Sequence, residues 1–174
     1  MALPTDLPTT VAPMTSGWNL AEIWERIADR MPDATAQRDD HREFTWAGFD
    51  RRADGVAATL IGAGAQHQDK VAHYLYNCPE YLESMFGLFK AALVPVNTNY
   101  RYTEDELVYL WDNADAVAVI FHAGFADRCA RVRERLPRIR TWLCVDDGHG
   151  ACPDWALPYE MAATSATGRT APPW

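Results

Sequence analysis

The feature that most constrains this chain is a rhythm. Short apolar runs, VAHYLY, LVPV, AVAVIF and TWLCV, begin near residues 71, 93, 116 and 141, and stretches of helical spacing lie between them. Leu82, Met85, Phe86 and Phe89 follow the first run. Leu107, Leu110 and Trp111 follow the second, and Phe125, Cys129, Val132 and Leu136 the third. Strands alternating with helices pair in parallel through right-handed crossovers, which puts helices over the sheet. AVAVIF lacks polar alternation, as a strand covered on both faces allows. The expected fold is therefore α/β, a parallel sheet covered by helices on both faces. The helix over residues 79–92 is expected to be buried, because apolar residues occupy most of its circumference.

Local signals extend this pattern toward the amino terminus. Leu20, Ile23, Trp24, Ile27, Ala28 and Met31 form one apolar helical stripe, opened by Asn19 with Glu22 and stopped by Pro32. TAQRDDHREFT reads as a hairpin turning at Asp39-Asp40. Thr45 is a cap for a helix carrying Phe49, Ala53, Val56 and Leu60. Asn77 and Glu80 bracket the start of the next helix, and Thr103 with Glu106 forms a capping box for the one after. Beyond residue 145, DDGHGACPDWALPYEMAATSATGRTAPPW has no sustained periodicity and contains Pro153, Pro158, Pro172 and Pro173. It reads as a connector over residues 146–174, with room for one helical turn at Tyr159–Ala163.

Composition excludes several functions. Sixteen Lys and Arg against 24 Asp and Glu leave a formal charge of −8 without a basic cluster, which disfavours nucleic acid and anionic membrane surfaces. No apolar run approaches the ~18–20 residues of a spanning helix. MALPTDLPTT has neither a basic segment nor an apolar core, so it is no secretory signal. Residues 1–16 are expected to be a leader and the protein cytoplasmic. The four cysteines form no CxxC pair, and Cys144, His149 and Cys152 lack a fourth zinc ligand. Reduced thiols and no metal site are expected.

Motifs of chemistry are scarce. Gly62-Ala63-Gly64 follows a helix and precedes a strand, the reverse of a phosphate-binding loop, so these glycines are expected to end the helix. TSATGRT, at 164–170, lacks the lysine and second glycine of a phosphate loop, and no strand precedes it. No GxSxG, HExxH or Walker loop occurs, and the five histidines are scattered. The turn NTNYRYT is the open question. Ligands of open α/β sheets collect beyond the carboxyl ends of strands, and this turn lies there. Asn97, Arg101 and Tyr102 are the candidate substrate-binding residues. Turn formation, capping and packing account for the same residues and are the simpler reading.

The succession DKVAHYLYNCPEYLESMFGLFKAALVPVNTNYRYTEDELVYLWDNADAVAVI resembles the opening part of AMP-forming acyl-CoA synthetases of the adenylate-forming ligase superfamily. The resemblance extends back through EFTWAGFDRRADGVAATLIGAGAQHQDKVA and NLAEIWERIADRMPD and covers roughly residues 17–145, most like actinobacterial fatty-acid–CoA ligases. It implies the first subdomain of an enzyme that uses ATP and Mg²⁺ to make an acyl-adenylate from a fatty or other carboxylic acid, then passes the acyl group to coenzyme A. The family's Thr/Gly-rich phosphate loop and its later motifs do not occur here, so no catalytic residue is carried over. The chain is expected to be an amino-terminal fragment, inactive alone. A cut domain exposes apolar surface, so self-association is also expected. The other reading is a free-standing, non-catalytic α/β binding module.

Overall fold

A computed structural model describes residues 20–170 of the chain. The expected leader, Asn19 and residues 171–174 lie outside the described residues. A first helix, α1 (Leu20–Arg30), leads into the two-stranded hairpin β1 (Thr35–Arg38) and β2 (Glu43–Thr45), and then into α2 (Trp46–Gly62). The Asp39 carboxylate closes the hairpin by accepting from the backbone N–H groups of His41 and Arg42 at 2.8 and 2.7 Å. The Thr45 hydroxyl accepts from Gly48 N–H at 3.2 Å and caps α2 as its sequence predicts.

Five parallel strands form the main sheet. They are β3 (Lys70–Tyr74), β4 (Val94–Asn97), β5 (Ala116–His122), β6 (Thr141–Val145) and β7 (Leu157–Pro158), in spatial order β4-β3-β5-β6-β7. The crossovers are α3 (Pro79–Lys90), α4 (Glu104–Asn113) and α5 (Ala126–Arg133), the last entered through a 3₁₀ turn at Ala123–Phe125. The fifth strand was not foreseen. The stretch expected as a connector folds back, adds β7 beside β6 and continues into α6 (Tyr159–Ala163).

Each face of the sheet carries its own core. Val56, Leu60, Val71, Leu88, Ile120, Leu143 and Tyr159 pack together under α2, α3 and α6. Tyr74, Leu107, Trp111, Val119, Phe121, Cys129 and Trp142 pack on the opposite face under α4 and α5. The alternation of β3 and β5 assigns successive side chains to opposite cores. A register shift at Val117 puts Val117 and Ala118 on the same side. The close approach of α6 to α2 needs Gly55, where an added Cβ would meet the Ala162 carbonyl oxygen at 2.4 Å.

The helix ends follow local rules, with one correction. After α2, Gly64 N–H donates to Ile61 O at 2.9 Å and Ala65 N–H to Leu60 O at 3.1 Å, a Schellman closure with Gly64 at φ 90°. Gly64 thus ends a helix, as its position predicts. At α3 the cap is Cys78 rather than Asn77. Pro79 occupies the first helical turn, where its missing N–H costs nothing and its fixed φ suits the helix. Burial of α3 is as expected, but it is not purely apolar: Glu80, Glu83, Ser84 and Lys90 are buried along it.

Candidate functional site

With α3, α4 and α5 as crossovers, the order β4-β3-β5-β6-β7 reverses direction between β3 and β5. It is the doubly-wound order 2-1-3-4-5, and the crevice beyond the carboxyl ends of β3 and β5 is where such a sheet holds ligands. His122 ends β5 there. Its Nδ1 accepts the Tyr76 N–H at 3.0 Å, so in the neutral ring the proton sits on Nε2. Burial pushes the His122 pKa down, against the opposing charges of Asp147 and Glu80. The Tyr76 ring stacks near His122, with centroids 5.8 Å apart, and lies 4.8 Å from Tyr100 and 5.0 Å from Phe125. Tyr76 and Tyr100 are 43% and 39% exposed, so this aromatic wall faces outward.

The 97–103 turn borders the wall. Asn97 Oδ1 accepts from the Tyr81 hydroxyl at 2.5 Å, on the α3 side. Asn99 Oδ1 accepts the Arg101 N–H at 3.0 Å, and Asn99 O accepts from Tyr102 N–H at 3.1 Å. The Arg101 guanidinium is exposed, 5.4 Å from the centre of the Tyr100 ring, and has no ion pair among the described residues. Tyr102 packs on the opposite core, beside Leu107 and Trp111. The capping box forms, with Glu106 Oε2 accepting from both the N–H and the hydroxyl of Thr103 at 2.8 Å. These hydrogen bonds hold the Glu106 carboxyl below its usual range. Asn97 and Tyr102 therefore lie on different sides of the edge strand, with Arg101 between them at the rim.

A cavity of about 330 Å³ opens beside the end of β6, lined by Arg42, Arg52, Glu80, Asp146, Tyr159 and Glu160. Both of its guanidinium groups are already paired. Arg42 meets Glu80 at 2.5 Å; Arg52 meets Glu83 at 2.8 Å and Glu160 at 2.6 Å. Burial raises the Glu83 pKa while Arg52 lowers it, which is what an ion-pair network at the core boundary does. Cys78, at the start of α3, is no nucleophile: burial and the Glu80 charge push its thiol up to about 12. All four cysteines are free, as expected.

The fit to a nucleotide-handling site is partial. Among the described residues no three His, Cys, Asp or Glu side chains are placed to hold a metal ion. The strand-to-helix turns following β3 and β4 contain no glycine, so neither offers a phosphate cradle. What the described residues present is an outward-facing rim with the Tyr76 and Tyr100 rings and the Arg101 guanidinium. The sequence pointed to the 97–103 side of this crevice and not to Tyr76 and His122. Position at a strand's carboxyl end marks Tyr76 and His122, but only the strand order makes them neighbours.

Such a sheet, with its crevice at the switch point, defines a doubly-wound α/β unit. The profile described as AMP-binding enzyme matches residues 24–169, and the chain belongs to that family. It is 39% identical over 135 residues to a medium/long-chain-fatty-acid–CoA/3-oxocholest-4-en-26-oate–CoA ligase of Mycobacterium tuberculosis, covering 78% of this chain and 25% of that protein. A 3-oxocholest-4-en-26-oate–CoA ligase of Rhodococcus rhodochrous is 38% identical over 130 residues, covering 75% and 23%. The chain thus spans about a quarter of the length of the curated relatives it matches. An acetoacetyl-CoA synthetase from Streptomyces lividans shares the fold at TM-score 0.78 and 22% identity, over 87% of this chain and 26% of that one.

Proposed function

We propose that this chain serves as the amino-terminal subdomain of an ATP-dependent acyl-CoA ligase. The complete enzyme joins a carboxylic acid to AMP and then to the thiol of coenzyme A. The observation that supports this most is the family match over residues 24–169, laid on a sheet whose switch point carries an outward-facing rim. The relatives' names point to medium- and long-chain fatty acids and to a steroid side-chain acid as substrates to test. Mg²⁺ is the expected metal of the complete enzyme, and no step is assigned to it on these residues. Arg101, exposed and without a carboxylate partner among the described residues, suits an anionic group of a substrate, with Asn97 and Tyr102 shaping the rim around it. We place the protein in the cytoplasm, and no helix of the described residues is long and apolar enough to cross a membrane.

The subdomain expected over residues 17–145 is proposed to extend through β7 and α6, which join its sheet and core. Self-association is proposed through α1, whose Leu20 and neighbouring Met31 are 52% and 45% exposed. The alternative of a free-standing binding module has no specific observation in its favour.

Attack of a carboxylate on the α-phosphate develops charge that positioned donors must meet. The expected result is therefore no acid-dependent ATP–pyrophosphate exchange by the 174-residue chain alone. Exchange is expected when the chain is fused to the remaining three quarters of the Mycobacterium relative. Exchange by the chain alone would refute the subdomain assignment, and failure of a folded fusion would refute the ligase assignment.

A further inference from the structure

Arg128, on α5, stands outside every motif in the sequence, yet its side chain crosses to the 97–103 turn. Nη1 donates to the Tyr74 hydroxyl at 2.7 Å and to the carbonyl oxygens of Tyr102 and Tyr100 at 3.0 and 3.4 Å. Tyr74 adds a bond of its own, its hydroxyl lying 3.3 Å from Tyr100 O. One half-buried guanidinium thus joins three elements: α5, the carboxyl end of β3 and the turn leaving β4.

The partners are unusual. A half-buried guanidinium normally gains most from a carboxylate, and Arg128 has no ion pair among the described residues. It spends its donors on two main-chain carbonyls of one turn and the phenol that touches the same turn. Charge-assisted bonds to carbonyls are stronger than neutral ones, so they fix backbone geometry well. The turn's internal bonds, from Asn99, fix its local shape but not its position against the sheet. Trp111 Nε1 secures one end by donating to Thr98 Oγ1 at 2.9 Å, and the capping box secures the other at Thr103. The backbone of the stretch between, which carries Tyr100, Arg101 and Tyr102, is hydrogen-bonded to the body through Arg128 and Tyr74, while the Tyr102 ring packs on the core and the Tyr100 ring on Tyr76.

We propose that Arg128 is a positioning residue: it fixes the 100–102 segment at the crevice rim so that the exposed Tyr100 and Arg101 are presented to ligand, without touching ligand itself. This deepens, and rests on, the proposed ligand-facing rim.

The test uses the full chain with Arg128→Ala, Arg128→Lys and Tyr74→Phe. Amide hydrogen exchange is followed with and without millimolar methylguanidinium, which can refill the space left in Arg128→Ala. Arg128→Ala should exchange at least tenfold faster at residues 100–103, with β5 and β6 unchanged. Methylguanidinium should restore protection in that variant and do nothing to the wild type. Arg128→Lys, which can serve fewer acceptors, should fall between. Tyr74→Phe should show a smaller loosening, since both carbonyl bonds survive. Unchanged exchange at the turn, uniform acceleration across the sheet, or no rescue would each overturn the proposal. The rim is checked separately by titrating coenzyme A and ATP into Arg101→Ala. Wild-type binding by that variant sinks the ligand contact of Arg101 and leaves the exchange result to decide Arg128.

Discussion

Single residues carry the strain and the close contacts here. Ala92 follows α3 with φ 50°, and its neighbours close a Schellman motif: Ala92 N–H donates to Phe89 O and Leu93 N–H to Leu88 O at 2.8 Å. Glycine is the usual residue at that position, because a Cβ is costly in the left-handed region. Ala92→Gly is therefore expected to stabilise the fold by about 1 kcal/mol, offset in part by the looser unfolded chain. Urea unfolding measures it, and a destabilised variant would refute the strain. Tyr74 shows a different economy at the same scale. Its ring stacks on Phe125 at 4.3 Å, while its hydroxyl serves the turn.

At the scale of elements, buried charge joins the helices. Lys90 ends α3 with its ammonium fully buried, between Glu25 of α1 at 3.0 Å and Asp50 and Asp54 of α2 at 2.7 and 2.8 Å. The ammonium also sits 4.8 Å from the centre of the Phe86 ring. These carboxylates raise its pKa although burial, the largest influence, opposes them. Lys90→Met should cost about 3–5 kcal/mol, because it removes the buried cation between three acids and leaves only the half-exposed Arg169 beside Asp50 and Glu25. Equal denaturation midpoints for variant and wild type would rule that out. The tail joins the same cluster, with Thr170 N–H donating to Asp54 at 2.8 Å and Arg169 pairing with Asp29 and Asp50. The open edge of the sheet is guarded differently. Val94 and Thr98 N–H groups face β3, so Pro95 stands at an outward position where an added strand would need a donor. Pro95→Val should increase self-association in sedimentation, and an unchanged profile would show the edge is blocked by something else.

For the whole molecule, acid is the informative variable. His73 is fully buried, its Nε2 2.9 Å from the Ser84 hydroxyl and its Nδ1 without a partner among the described residues. Burial pushes its pKa down to about 4. The unfolded chain accepts that proton near pH 6.5, so between pH 6.5 and 4 protons favour unfolding. Stability from this group is complete above 6.5 and falls by about 3 kcal/mol as pH drops through the window. His122, also lowered by burial, acts in the same direction. Glu83 acts in the other, since its raised pKa lets the folded state take a proton first. Urea midpoints from pH 7 to 4.5 should fall, and less steeply in His73→Gln. Parallel slopes would exclude His73 as the source.

Most of the elements were legible before any fold was known, because their signals are local. The spacing of Leu107 and Trp111, the Thr103–Glu106 box and the unbroken AVAVIF run each act within a few residues. It was equally legible that Gly62-Ala63-Gly64 ends a helix rather than cradling phosphate, since a helix precedes it. The order of strands was another matter. Whether β5 lies beside β3 or β4 depends on which face each crossover covers, and therefore on packing between residues far apart in the chain. That choice put Tyr76 and His122 together at one crevice. The two-residue β7 was hidden because a strand that short carries no period and is fixed by its neighbour β6 alone. Nothing within a turn of Lys90 or Arg128 specifies its partners. Only the tertiary structure, by bringing acids of α1 and α2 to one and carbonyls of a distant turn to the other, decided what they hold.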